Sequence, residues 1–346
     1  MSSAKPRTAF VNPWEMGRLC EDEYARLVRE YGLEPFVFTL KDEPFFTRRP
    51  LILGHDRFDL WFGAVQSGQR AALVSGFMAS GFVHLGTLTV LRQMAYYQRV
   101  YGAKLFIPIA DVEAAVVRKV PKAMIRAITE DLVLHVAAAG IDLSSAELYL
   151  QSRHSRLLRE VSLLTGQIDI PELETIYDRR LTLGEAVASL TMSADILLPQ
   201  VLGFQNTLVT LGIDEISHFI LTKALVAGFD GFTSPSITYH RMIPGLQGPK
   251  MGKSRPDDSV QLANVPGEGE QKILSLTGDP DAGLPVARSI LAWFGEDGND
   301  AARVEDPASV IRSAAETVRT VLEQHHARMS SVERDAKQRV DELFRE

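Results

Sequence analysis

The chain has 346 residues, 45% of them apolar and 23% charged, with a formal net charge of −7. That length accommodates two domains, one with a sizeable core, and the acidic balance speaks against a non-specific polyanion binder. A lone cysteine, Cys20, excludes an intramolecular disulfide and suits a reducing, cytoplasmic compartment, and no apolar run approaches the ~18 residues of a membrane helix.

Residues 1–65 read as an N-terminal extension. The stretch is polar, is broken by Pro13, Pro35, Pro44 and Pro50, and holds one helical run, EDEYARLVREYG. Its start carries no apolar segment of the kind that marks a secretory signal. From there the pattern changes to alternating strands and helices. RAALVSG is the first buried strand, followed by the helix HLGTLTVLRQMAYYQRVYG, which Gly102 stops. AKLFIPIAD is the second strand; the helix PKAMIRAITEDLVLHVAAAG follows, with Pro121 in its first turn and Gly140 at its end. AELYLQS is the third strand, and NTLVTLGID the fourth, leading into EISHFILTKALVAG. Continuous apolar strands alternating with long helices specify a parallel sheet covered on both faces. From about residue 266 the strands stop. PASVIRSAAETVRTVLEQHHARMSSVERDAKQRVDELF reads as a long helical pattern, interrupted once, within a separate helical C-terminal domain.

Ligands of such a sheet sit beyond the carboxyl ends of its strands. Two segments there carry chemistry. SGFMASGFVHLGT places Gly76, Ser80 and Gly81 in a turn, with His84 and Gly86 at a helix start, where free N–H groups and the positive dipole end suit a phosphate. Gly86 leaves space for a flat base against the backbone. The second is GPKMGKSRPDD. Its Gly-Lys-Ser is not a P-loop, because the required glycine five residues before Gly252 is Gln247. Pro244 and Gly245 also rule out a strand feeding it, and Pro256 a helix leaving it. Lys250 and Lys253 on a glycine-flanked loop can instead close over a polyphosphate and neutralise developing charge. Each motif alone has a plain structural explanation: a capped βα turn, and a solvated basic loop.

In this order, with a sheet between them, HLGT and KMGKS resemble the HIGH and KMSKS signatures of class I aminoacyl-tRNA synthetases. VNPWE, PFFTRRPLILGHDRFD and IPGLQGPKMGKSRPDDSV are similar to the archaeal and eukaryotic tryptophanyl-tRNA synthetase family. TMSADILL is closer to the bacterial form, and GFMASGFVHLGT to archaeal tyrosyl enzymes, so the chain resembles a divergent member. The resemblance implies a Rossmann-like catalytic domain over 66–265, a helical anticodon-binding-like domain over 266–346, ATP with Mg2+, tryptophan or a related aromatic amino acid and a tRNA as partners, no membrane, and a homodimer.

Carried over residue by residue, the resemblance assigns catalysis to His84, Thr87, Lys250 and Lys253. The nucleotide falls to Gly76, Ser80, His84, Gly86, Gly212, Asp214, Lys250, Met251, Lys253 and Ser254. The amino acid falls to Val74, Pro108, Glu113, Met192, Asp195 and Glu215. Thr87 stands for the second histidine of HIGH, and Gly252 for a serine of KMSKS. Asp195 matches the reader of the indole N–H, which only donates, and Glu113 the holder of the substrate ammonium. Val74 and Pro108 replace a tyrosine and a glutamine, and Glu215 replaces the glutamine of a GxDQ segment whose Gly212 and His218 still fit. These departures motivate two alternatives: a paralogue activating another aromatic amino acid or serving a biosynthetic or resistance role, and a non-catalytic amino-acid sensor. No metal site is expected. Residues 306–346 hold seven Lys and Arg against eight Asp and Glu, and the adjacent His325 and His326 face different directions on a helix.

Overall fold

A computed structural model describes residues 19–248, 250–253, 255–295 and 306–345. Its strands are β1 Ile52–Asp56, β2 Ala71–Val74, β3 Phe77–Met78, β4 Lys104–Ala110, β5 Glu147–Leu150, β6 Asn206–Gly212 and β7 Ser236–His240. They form one sheet in the order β1-β7-β6-β2-β4-β3, with β5 also on β4. Every pairing is parallel except β1 with β7. This is the α/β, parallel-sheet class expected.

The chain winds outward from β2 through β4 to β5, then returns to β6 beside β2 and continues to β7. Strand order therefore reverses between β2 and β6, and a crevice opens beyond their carboxyl ends. Three strands escaped the sequence pattern: β1 contains a glycine, β3 spans only two residues, and β7 follows the turn-rich DGFTSP.

β2 and β3 are one strand path, broken at Ser75–Gly76. β2 pairs with β4 up to Val74↔Phe106, and β3 resumes at Phe77↔Ile109. The cause lies across the gap. Ser75 N–H donates to Phe106 O (3.3 Å), so the backbone groups of Phe106 face this side. Pro108, two residues on, faces it too and has no N–H to give. Gly76 completes the arrangement, since a Cβ there would sit 2.9 Å from Pro108 Cγ.

Helices cover both faces. Leu85–Tyr101 and Lys122–Ala138 pack into one apolar cluster, while Leu183–Val201 and Ile216–Ala227 pack into the other. The helices Pro266–Leu274, Pro280–Phe294 and Pro307–Phe344 join the first cluster through Ile273, Ile290, Ile311, Val318 and Leu322. The expected interruption of the last helix is absent; it runs unbroken for 38 residues. No residue between His326 and Asp335 is fully buried, which erases the apolar period there. The stretch contains neither Gly nor Pro, and the i,i+4 pair Glu333–Lys337 (2.7 Å) supports the helix. Among the described residues, no helix is long and apolar enough to cross a membrane.

Candidate active site

The crevice at the strand reversal is a cavity of about 740 Å3. Every site residue expected from the sequence lines it except Ser254, which lies outside the described residues.

One wall is the turn after β3 and the tip of Leu85–Tyr101, where His84 is the N-cap. Its ring is buried, and Nδ1 has no hydrogen-bond partner among the described residues. Burial, then the charges of Lys253 and Lys250, pull His84 down to about 3, so the imidazole is neutral at physiological pH. A Cβ on Gly86 would stand 3.0 Å from His84 Cε1, so the space this glycine leaves is taken by the histidine ring rather than held open for a flat base. Thr87 is buried one turn inside, its N–H bonded to His84 O (2.9 Å).

The opposite wall is the loop after β7. Met251 is buried and its N–H donates to Ile243 O (3.0 Å), while Asp258 Oδ1 accepts from Gln247 N (2.6 Å). These contacts fix the loop so that both lysines enter the cavity. Lys253 Nζ donates to Met78 O (2.7 Å), and Lys250 forms an ion pair with Asp214 and lies 3.8 Å from Glu215 Oε1. The two ammonium groups are held differently. Burial lowers Lys253 to about 8, only partly opposed by Asp131 and Glu113. Burial also acts on Lys250, but Asp214 and Glu215 outweigh it and its pKa is raised. Glu215 is in turn raised by burial and by the Asp214 carboxylate. Behind it, His218 lies 3.3 Å from Glu215 Oε2 and 2.6 Å from the Tyr177 hydroxyl.

The third wall is Leu183–Val201. Met192 and Asp195 stand one turn apart and face the cavity. Asp195 is 3% exposed; its Oδ1 accepts from Tyr149 Oη (2.9 Å) and its Oδ2 from Gln151 Nε2 (2.6 Å). Burial pushes Asp195 up to about 7 despite both donors. Val74, Pro108 and Gly76 floor the cavity, Glu113 enters from the helix Asp111–Val116, and Ser80 and Gly212 lie at its rim.

A family model for tRNA synthetases class I (W and Y) matches residues 66–344. The chain belongs to this class I synthetase family. It is 35% identical to the tryptophan–tRNA ligase of Aeropyrum pernix over 284 residues, covering 78% of this chain and 75% of that protein. It is 33% identical to that of Methanopyrus kandleri over 274 residues, covering 76% and 72%. The crystal structure of the tryptophanyl-tRNA synthetase of Aeropyrum pernix K1 matches with a TM-score of 0.81 at 29% identity, covering 92% of this chain and 96% of that one.

In this class I synthetase, sequence reasoning missed Tyr149 and Gln151, the partners of Asp195. The signal was present: Glu147, Tyr149 and Gln151 put polar groups on one face of an otherwise apolar strand. It also missed Tyr177, Arg118 and His240, whose place depends on tertiary packing alone.

Two expectations follow from the lysine loop. Lys253 carries its charge below about pH 8 and loses it above, because burial favours the neutral amine. The kcat/KM of a synthetase needing that charge falls roughly tenfold per pH unit above this value, and kcat falls at higher pH, since bound phosphates hold the proton. A pH profile of pyrophosphate exchange reads both limbs. Gly81 meets the loop directly: a Cβ there would lie 2.8 Å from Lys253 O. Gly81→Ala is expected to push the loop off the turn and lower kcat by about 10- to 100-fold with little change in melting temperature.

Proposed function

We propose that the protein activates tryptophan with ATP and transfers it to a tRNA. The observation that carries this reading is convergence. The helix tip bearing His84, the paired lysines and the buried carboxylate of Asp195 face one cavity in a chain of the tryptophan and tyrosine synthetase family.

The tryptophan carboxylate, already ionised at neutral pH, attacks the α-phosphorus and expels pyrophosphate, leaving tryptophanyl-adenylate. A terminal hydroxyl of the tRNA then attacks the activated carbonyl and releases AMP. No general base is needed for the first step, so catalysis is positional and electrostatic. The positive dipole end of Leu85–Tyr101 and the neutral His84 ring hold phosphate oxygens, with Thr87 beside them. Lys250 and Lys253 neutralise the leaving pyrophosphate; Met251 between them anchors the loop, and Ser254 is assigned to the same phosphates. Gly76, Ser80, Gly212 and Asp214 form the nucleotide's bed, and Gly86 makes room for the His84 ring beside it.

Asp195 reads the indole N–H, Met192, Val74 and Pro108 enclose the ring, and Glu113 and Glu215 hold the ammonium. Lys250 must leave Asp214 to reach a phosphate, and a nucleotide carrying several negative charges competes well for it. Among the described residues no three metal-ligating side chains converge. Magnesium would arrive with the nucleotide substrate and offset its phosphate charge.

A cytoplasmic homodimer, with divisions at 1–65, 66–265 and 266–346, completes the reading. ATP–pyrophosphate exchange across a panel of amino acids tests it. Tryptophan-dependent exchange, followed by charging of a tryptophan tRNA transcript, is expected. Exchange with another aromatic residue would reassign the substrate, and no exchange with any would end the proposal.

A further inference from the structure

Two adjacent histidines of the last helix have no part in the chemistry above. His325 is 3% exposed, and its Nε2 lies 2.9 Å from Nδ1 of the buried His135, the rings stacked with centroids 5.1 Å apart. On its other side, His135 Nε2 stands 3.3 Å from Asp131 Oδ1, a close contact without hydrogen-bond alignment. The second oxygen of Asp131 accepts from Val83 N–H (3.1 Å). This path therefore ends on the residue before His84.

His326 leaves the helix in a different direction and reaches the same place. Its Nε2–H donates to Leu262 O (2.7 Å), since a carbonyl can only accept. Leu262 N–H donates to Val83 O (2.8 Å), and Leu85 N–H donates to Val260 O (3.0 Å). Residues 260–262 thus lie along 83–85, with His84 opposite Gln261. One path holds the N–H of Val83 and the other its carbonyl. Together they clamp the peptide that aims the imidazole.

We propose that His325 and His326 are positioning residues for His84, holding its backbone from both sides and tying the last helix to the phosphate-binding tip. Buried hydrogen-bonding side chains could have been replaced by apolar ones at little cost if packing were their only task. Instead, polar groups from three elements are spent on the amide and carbonyl of one residue. Because the first and last links sit on separate helices, any shift of the last helix moves the imidazole as well. This inference rests on the activation reading only for its kinetic readout.

The test uses His325→Phe and His326→Phe, which keep a ring and lose the hydrogen bond, with His325→Gln, whose amide can still donate to His135. The single-turnover rate constant for adenylate formation is expected to fall by about tenfold in each phenylalanine variant, with the KM for tryptophan and the titre of active sites unchanged. His325→Gln is expected to restore most of the rate. In a His84→Ala background the His325→Phe effect should vanish, because the group it positions is gone. A readout independent of turnover is the NMR signal of the His84 ring in the free protein, which should shift in both phenylalanine variants. A reduced titre at an unchanged rate constant, an equal fold-loss without His84, or an unmoved His84 signal would overturn the proposal. Absence of any exchange in the wild-type protein would instead sink the activation reading, and the NMR comparison would still decide this one.

Discussion

Lys253→Ala is expected to lower the rate constant of adenylate formation by about 10²–10³-fold while leaving the KM for tryptophan near the wild-type value. The reasoning is differential. The ammonium sits in a cavity dry enough to hold its pKa at about 8, against an ordinary 10.5, so its charge is poorly compensated until phosphates arrive. Among the described residues, it donates a hydrogen bond to a neutral carbonyl, Met78 O. Charge developing on the leaving pyrophosphate therefore meets a preorganised cation, and the interaction strengthens toward the transition state. Lys250 differs, being already paired with Asp214 in the free protein, so part of what it gives the phosphates is spent in breaking that pair. The expected loss for Lys250→Ala is accordingly smaller than for Lys253→Ala. Single-turnover measurement with both variants checks the ranking, and equal losses would contradict it.

Asp195→Asn is expected to reduce kcat/KM for tryptophan by about 10²–10³-fold and to collapse discrimination against phenylalanine by at least as much. A carboxylate offers about four acceptor positions. Tyr149 and Gln151 occupy two, leaving capacity for an indole N–H. Phenylalanine would leave that capacity unmet in a buried site, which is the source of the discrimination. An asparagine turns one oxygen into a donor; set toward Tyr149, whose hydroxyl can also accept, it leaves a single oxygen to serve both Gln151 and the indole N–H.

Stability moves the other way. The folded pKa of Asp195, about 7, lies above the ordinary 3.8, so its charge weakens the fold progressively as pH rises through that window. At pH 8 the asparagine variant is spared that penalty. Its thermal midpoint is expected to hold while its selectivity is lost, which separates a specificity defect from an unfolding one. Thermal melts at pH 5 and pH 8, alongside exchange with both amino acids, provide the check.

Much of this was legible before the coordinates, for identifiable reasons. The nucleotide end of the site is built from short local motifs. A glycine-bearing turn before a helix and two lysines on a loop declare themselves within a dozen residues, and both converge where the topology of an open sheet demands. The amino-acid end is assembled from β4, β5 and the helix Leu183–Val201, so its logic lies in cross-chain contacts. Asp195 could be named only through the resemblance of TMSADILL to the bacterial form. Its dependence on Tyr149 and Gln151 could not, because the pairing is set by how that helix lies across β5. β1 and β7 were missed because the guide was a continuous apolar run, which Gly54 and His55 break in one and Ser236, Thr238 and His240 in the other. The unbroken last helix was misread because an exposed stretch looks like an interruption when apolar spacing is the only guide.

The proline facing the β2–β3 gap governs which substitutions the floor of the cavity tolerates. With Pro108 in place, the ladder beside it is open and Gly76 is pressed against the ring; a side chain added at residue 76 collides with it. Restoring an amide-bearing residue at 108 would insert an unpaired N–H into that opening, and remaking the ladder would reshape the turn that leads to His84. A single exchange is thus penalised whichever position changes first.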